Sequence, residues 1–342
     1  MSKSERFVMV PSGNSACTSY RSPVSTVHFS PGGRSIVTLS DGSVGFGTCL
    51  RCETHPCMEM SSTELELTGV FGQFAGNPRT KVCPTDAIEV PASGATPYIS
   101  STSCIGCGLC ALRCPYGAIS ISSDGIAHIE SDDPSNLTEP EVWTSPYEQI
   151  SHQGCLRAPS EPQGVELLSE VRNLSDDGRN LMIRNVLSEL GLRTRVRRRG
   201  DTNLRMDAVG LDRAGRPFVA EIEASDSVLE SPRFLLEDVA VLHSRYRMPV
   251  SSLTAVSILL VLPNKRSEYY QVLRDIEFVL GLRFRTITLG ALLVTMWNCR
   301  MLLHFAREAL VVGELGLDLG LLMTELNIEY SELYPGAYVP AR

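Results

Sequence analysis

The chain has 342 residues, 43% of them hydrophobic and 20% charged, with a formal net charge of -8. That length leaves room for two domains, and the acidic balance argues against nonspecific nucleic-acid binding by the whole molecule without excluding a local basic face. No uninterrupted apolar stretch reaches membrane-spanning length, so no membrane partner is expected; the richest segments, Val256 to Leu262 and Leu289 to Trp297, suit buried strands or a core helix.

The opening residues Met-Ser-Lys-Ser-Glu-Arg lack a charged-then-apolar signal pattern, which predicts a reducing, cytoplasmic setting and disfavours a disulfide framework. Residues 1 to 44 are rich in Ser, Gly, Thr and Val, with strand-like runs at Phe7 to Val10 and Ser35 to Leu39. A loose cysteine run follows at Cys49, Cys52 and Cys57, then an insertion of residues 58 to 82, then Cys83-Pro84. A tight run comes next: Cys104-Ile-Gly-Cys107-Gly-Leu-Cys110-Ala-Leu-Arg-Cys114-Pro115. Three thiolates on one short loop can each reach a different iron of a cubane, and backbone N–H groups between them can face its sulfides. Zinc is the alternative, but it asks for four ligands from two pairs, and four cysteines within an eleven-residue run exceed that pattern. Cys17, Cys155 and Cys299 remain over and read as ordinary reduced thiols.

The sequence also repeats itself, since Cys83-Pro-Thr-Asp-Ala-Ile88 echoes Cys114-Pro-Tyr-Gly-Ala-Ile119. Residues 45 to 130 thus resemble the dicluster 4Fe-4S bacterial-type ferredoxins, in which the last cysteine of each run, the one before Pro, ligates the other cluster. The resemblance implies two 4Fe-4S clusters, one on Cys49, Cys52, Cys57 and Cys114, the other on Cys104, Cys107, Cys110 and Cys83, and a redox partner. It departs from the family in the Cys52-x4-Cys57 step and in the long insertion.

The expected organisation is a ferredoxin-like domain with its N-terminal extension over residues 1 to 130, a linker rich in Pro, Ser and Asp over 131 to 164, and a second domain over 165 to 342. In that second domain the apolar spacing of Leu181, Ile183, Val186, Leu187 and Leu190 predicts a helix from about Asp176 to Leu190, capped by Ser175 and ended by Gly191. Strands are predicted over Leu192 to Arg198, Leu204 to Asp212 and Pro217 to Ala224, then a helix near Pro232 to Tyr246, a strand near Leu253 to Leu262, a helix near Glu268 to Leu280 and a strand near Phe284 to Leu289. Helices around Met301 to Val312 and Leu319 to Tyr330 would close the domain. That order predicts a mixed sheet flanked by helices.

Within it, Glu221 and Glu223 project from one face of a strand while Ile222 goes to the other. If the turn from Asp212 to Pro217 closes a hairpin, Asp207 lies opposite Glu221 and Ile222. Three carboxylates would then converge, and oxygen-only ligands suit Mg²⁺ or Mn²⁺. Residues 176 to 290 resemble the PD-(D/E)xK restriction-endonuclease superfamily. The resemblance implies an α/β restriction-endonuclease-like domain with a central mixed sheet, so that the whole chain is α+β. It also implies metal ligands at Asp207 and Glu221, with Glu223 standing at the position the family gives to Lys. Arg179-Asn180 occupies the first helix where many relatives carry Glu. Arg193, Arg195 and Arg197 share one strand face and could contact successive DNA phosphates; a merely solvated, charged face is the plain alternative. The expectation is an iron-sulfur protein that hydrolyses DNA with Mg²⁺ or Mn²⁺, in defence against foreign DNA or in DNA processing; a homodimer, which many restriction enzymes form, is left open by the sequence. The rival is an electron-transfer ferredoxin with a noncatalytic nuclease-like docking domain.

Overall fold

A computed structural model describes residues 24–29, 34–39, 42–49, 55–92, 96–130, 151–153, 156, 158–200, 205–224, 228–314 and 316–341. Cys17, Cys52, Cys155, the run Phe7 to Val10 and most of the expected linker lie outside the described residues. The chain folds as two compact units, one of residues 1–61 and 80–157, the other of residues 62–79 and 158–342. Part of the insertion between Cys57 and Cys83 belongs to the second unit, and a helix already begins at Glu161, inside the expected linker.

In the first unit β1 (Val24–His28), β2 (Ile36–Leu39) and β3 (Val44–Phe46) form an antiparallel meander. The chain then leaves for residues 62–79, which carry the short α1 (Ser62–Leu65) and a 3-10 turn, Gly69–Gln73, and returns through two small hairpins. These are β4 (Ile88–Glu89) with β5 (Tyr98–Ile99) and, after α2 (Leu109–Arg113), β6 (Ile119–Ile121) with β7 (Ala127–Ile129). The strand β8 (Ser151–Gln153) adds in parallel to β1, so this stretch of the expected linker is part of a four-stranded sheet, in the order β3-β2-β1-β8.

The sequence echo is also a structural one. Cys83 and Cys114 are each followed, three residues on, by a residue in the left-handed region, Asp86 at φ 55° and Gly117 at φ 61°, and each turn enters a strand five residues after the cysteine. Gly117 has a second reason to lack a side chain, because a Cβ there would come within about 3.0–3.2 Å of Val37, Val27 and Ser35.

The second unit is built on α3 (Glu161–Asn173), α4 (Asp176–Glu189), β9 (Arg193–Val196), β10 (Ala208–Leu211), β11 (Pro217–Glu223), α5 (Glu230–Tyr246), β12 (Thr254–Leu259), α6 (Glu268–Leu280), β13 (Arg285–Thr288), α7 (Leu289–Trp297) and α8 (Gly320–Glu325). The sheet order is β13-β12-β11-β10-β9. The β9, β10 and β11 pairings are antiparallel; β11, β12 and β13 run parallel through the crossover helices α5 and α6. The chain is therefore α+β with a mixed central sheet, as expected. Ser175 Oγ accepts the Gly178 N–H at 3.2 Å and starts α4 where its cap predicts. In β12 all residues after Thr254 are buried, which is what a strand covered on both faces requires. The apolar run Leu289 to Trp297 resolves as a helix buried all round.

Two expected helices are corrected. Between Met301 and Val312 only a 3-10 turn forms, at Glu308–Leu310. The segment's backbone groups bond elsewhere instead: the Leu302 and Leu303 N–H groups donate to Leu190, Leu303 takes φ 66°, and its carbonyl accepts from Arg213. Leu302, Phe305, Ala309 and Leu310 are buried all the same, with Phe305 meeting Phe218 edge to face at 5.1 Å. The helix expected over Leu319 to Tyr330 stops at Glu325, and Asn327 takes φ 54° just beyond it.

Residues 71 to 79 run beside β9 within the second unit. The Asn77 N–H donates to the Val196 carbonyl at 2.8 Å, and Arg79 pairs with Asp177 at 2.7 Å. This covers a sheet edge that would otherwise present open backbone groups. Among the described residues no helix is long and apolar enough to cross a membrane.

Candidate functional site

The cysteines of the first unit sort into two neighbourhoods. Burial pushes the Cys114 thiol up to about 11, and Cys49 adds to the effect; Cys57 is raised by burial and then by Cys114 and Cys49. Burial likewise raises Cys107, with Cys83 and Cys104 contributing, and Cys110, with Cys107, Cys83 and Cys104 contributing. Cys114 thus keeps company with the early run, and Cys83 with the late one. Backbone donors reinforce the pattern symmetrically: Cys83 Sγ accepts the Ala87 N–H and Cys114 Sγ the Ala118 N–H, both at 3.2 Å.

The donor set fits a 4Fe-4S cluster. Cys83, Cys104, Cys107 and Cys110 line one small pocket in largely apolar surroundings that include Ile99 and Leu109. Buried thiolates crowded together are unfavourable without cations between them, and iron is such a cation. Among the described residues no three His, Cys, Asp or Glu side chains converge as for a single metal ion. A cubane instead spreads its thiolates over four irons, so wider spacing suits it. Beside the other set, Arg113 is 1% exposed, donates through Nε to the Pro56 carbonyl at 2.7 Å and lowers the cost of ionising Cys57.

In the second unit the sheet register brings the acidic residues together. Ala208 faces Ala220 on one side and Val196 on the other, so Asp207 falls between Glu221 and Arg197. One Asp207 oxygen accepts the Ile222 N–H at 3.1 Å; the other lies 3.4 Å from the Arg197 guanidinium, and the Arg197 N–H donates to the Asp207 carbonyl at 2.9 Å. Asp207 and Glu221 also share a side-chain hydrogen bond. Burial raises the Asp207 carboxyl above the usual range, and burial together with Asp207 and Asp238 pushes Glu221 up to about 10. Asp207, Glu221 and half-buried Glu223 line one open cleft of about 420 Å³.

Sequence reasoning missed Asp238, on α5. It lines that cleft, is 2% exposed, and is raised to about 7 by burial and then by Asp207. The available signal was an acid in the buried stripe of α5 otherwise formed by Leu235, Val239 and Leu242. Asn180, on α4, also lines the cleft.

The arginine row does not act as a unit. Arg193 is exposed, but Arg195 Nη1 donates to the carbonyls of Phe71 at 3.1 Å and Phe74 at 2.8 Å. Its stem passes so close to Gly76 that a Cβ there would lie 2.1 Å from Arg195 Cγ. Arg197 turns into the cleft beside Asp207, and Arg205 lines it too while pairing with Glu237.

Comparison with known proteins bears chiefly on the cysteine region. Residues 97–120 match the 4Fe-4S binding domain family. Two uncharacterized ferredoxins of Methanocaldococcus jannaschii are 33% identical over 28% of this chain and 46% of their own, and 34% identical over 25% and 38%. The formate dehydrogenase iron-sulfur subunit of Wolinella succinogenes is 31% identical over 27% of this chain and 38% of its own. The chain spans less than half the length of each of these relatives. Among solved structures, restriction endonuclease FokI is similar with a TM-score of 0.30 and 11% identity, over 40% of this chain and 27% of that one. The chain carries a 4Fe-4S ferredoxin-type region.

Proposed function

We propose that the chain holds two 4Fe-4S clusters and hydrolyses DNA phosphodiesters in the cleft of its second unit with Mg²⁺ or Mn²⁺. The observation that carries the hydrolytic reading is the pairing of buried Asp207, just before β10, with half-buried Glu221 on β11 at the wall of an open cleft. Carboxylates so placed repel each other when ionised, and a divalent cation offsets that repulsion. Asp207 and Glu221 would hold the ion, which supplies positive charge to the scissile phosphate and to the attacking water. Glu223, from the next outward position of β11, accepts the proton that the water gives up. Arg197 and Arg205 are within the cleft to hold a phosphate, and Arg193 offers an exposed cation on β9.

For the clusters, the division of thiols supports Cys49, Cys57 and Cys114 as one set, which Cys52 joins by the spacing of the sequence, and Cys83, Cys104, Cys107 and Cys110 as the other. A second reading, electron transfer without hydrolysis, is favoured by one observation. Cys110 and Cys57, from opposite sets, are close enough for their charges to interact, as an electron relay between clusters needs.

The test is cleavage of duplex and single-stranded DNA by anaerobically purified protein with Mg²⁺ or Mn²⁺, alongside Asp207→Ala and Glu221→Ala. Metal-dependent cutting lost in both variants supports hydrolysis. No cutting of either substrate, with reversible cluster reduction, supports the electron carrier.

A further inference from the structure

Arg113 ends α2 between Cys110 and Cys114, two cysteines of opposite sets. It is 1% exposed, and its Nε donates to the Pro56 carbonyl at 2.7 Å, which holds the guanidinium one residue from Cys57. Stripping the water from a guanidinium is costly, and an apolar side chain would fill the same space without that cost. Negative charge close by offsets it. The early cysteine set supplies such charge, since Arg113 favours the ionised form of Cys57. The chief influences on Cys107 and Cys110, in the late set, are burial, neighbouring thiols and backbone N–H groups, with no cation among them.

Reduction of a 4Fe-4S cluster adds one electron and so one negative charge, and its potential follows nearby charge and the hydrogen bonds to its sulfurs. The described hydrogen bonds are nearly matched between the two sets. Cys83 Sγ and Cys114 Sγ each accept one backbone N–H at 3.2 Å. The late set has in addition the Thr85 hydroxyl, 3.4 Å from Cys83 Sγ. A neutral hydroxyl at that distance acts more weakly than a full charge shut away from water. The buried guanidinium is therefore the feature that makes the two sets unequal.

We propose that Arg113 makes the site of Cys49, Cys52, Cys57 and Cys114 the higher-potential of the two, so that an electron delivered to the chain comes to rest there. The inference rests on the two-cluster reading. The electron comes from a low-potential one-electron donor, a reduced flavoprotein or another iron-sulfur protein. An electron that enters at Cys83, Cys104, Cys107 and Cys110 leaves that site oxidised again as the site beside Arg113 becomes reduced. Cys110 and Cys57 are near enough for their charges to interact, which suits the transfer.

The experiment is a dithionite titration with mediator dyes, followed by electron paramagnetic resonance, on the full-length protein purified anaerobically. Wild type, Arg113→Met and Arg113→Lys are compared, with iron and acid-labile sulfide counted in each. The expected result is reduction of wild type in two waves, with the upper wave lowered toward the other in Arg113→Met. Arg113→Lys, which keeps the charge but not the planar fork, holds the upper wave nearer its wild-type place. Unmoved waves in Arg113→Met, a shift of the lower wave alone, an equal fall in both variants, or a single wave from wild type with two clusters overturns the proposal and leaves the two-cluster reading standing. A count of one cluster or none in wild type overturns both. Should the Arg113 variants lose their clusters, Cys57→Ser decides: a displaced or lost upper wave supports the proposal, and a change confined to the lower wave overturns it.

Discussion

Asp207 accepts the backbone N–H of Ile222 at 3.1 Å through one carboxylate oxygen, across the β10–β11 pairing. That bond locks the side chain against β11 and leaves the other oxygen for Arg197, 3.4 Å away. If Asp207 and Glu221 hold a divalent ion as proposed, that ion and the guanidinium would compete for this oxygen. Arg197→Ala is expected to tighten Mn²⁺ binding by up to about fivefold, the equivalent of the ~1 kcal/mol that such a half-exposed pair is worth at most. Calorimetry checks it; weaker Mn²⁺ binding in the variant would mean that Arg197 helps to build the site.

Asp238 also makes a prediction for the protein held in EDTA. Its folded-state value is raised to about 7, above the roughly 3.9 of a free aspartate, so the folded protein holds the proton more tightly than the unfolded chain. The corresponding stability is fully present below about pH 4 and is lost as pH rises through about 7. Asp238→Asn carries no charge at any pH. The variant should melt several degrees above wild type at pH 8, with the gap shrinking toward pH 4, and thermal unfolding across that range measures it.

Arg193 and Arg195 share a strand face but should behave differently. Arg195→Ala removes one of two donors from each of the Phe71 and Phe74 carbonyls, which keep the Phe74 and Gly76 N–H groups, and a cost of about 1 kcal/mol is expected in urea unfolding. Arg193→Ala should leave stability unchanged and reduce DNA affinity and its salt dependence by about one phosphate contact. The reverse assignment in binding titrations would contradict the geometry.

The cluster sets are tested by combining substitutions. If Cys114 and Cys57 serve one cluster, the Cys114→Ala and Cys57→Ala double variant should lose no more iron than either single variant, about half of the wild-type content. Pairing Cys114→Ala with Cys83→Ala should remove nearly all of it. Iron and acid-labile sulfide counts on anaerobic protein report the result.

How much of this was legible in the sequence varied with the range of the interaction. The capping of α4 by Ser175 and the pairing of Asp207 with Glu221 follow from local rules, a cap and a strand period of two, and both appear in the structure. Asp238 was not legible, because its place in the cleft depends on how α5 returns over the sheet after the hairpin. Nor was the destination of residues 62–79, since nothing local in that segment announces that Asn77 will bond along β9. Met301 to Val312 carries a helical apolar spacing, but its backbone is claimed by Leu190 and Arg213.

The hydrolytic reading is tested most directly with a DNA duplex carrying sulfur in place of a nonbridging oxygen at the cleaved phosphate. Sulfur binds Mg²⁺ poorly and Mn²⁺ better, so a metal that touches the phosphate reveals itself. The predicted result is slow cleavage with Mg²⁺ restored by Mn²⁺ in wild type and absent from Glu221→Ala. No cleavage of the unmodified duplex with either ion, or cleavage that persists in Glu221→Ala, would contradict it.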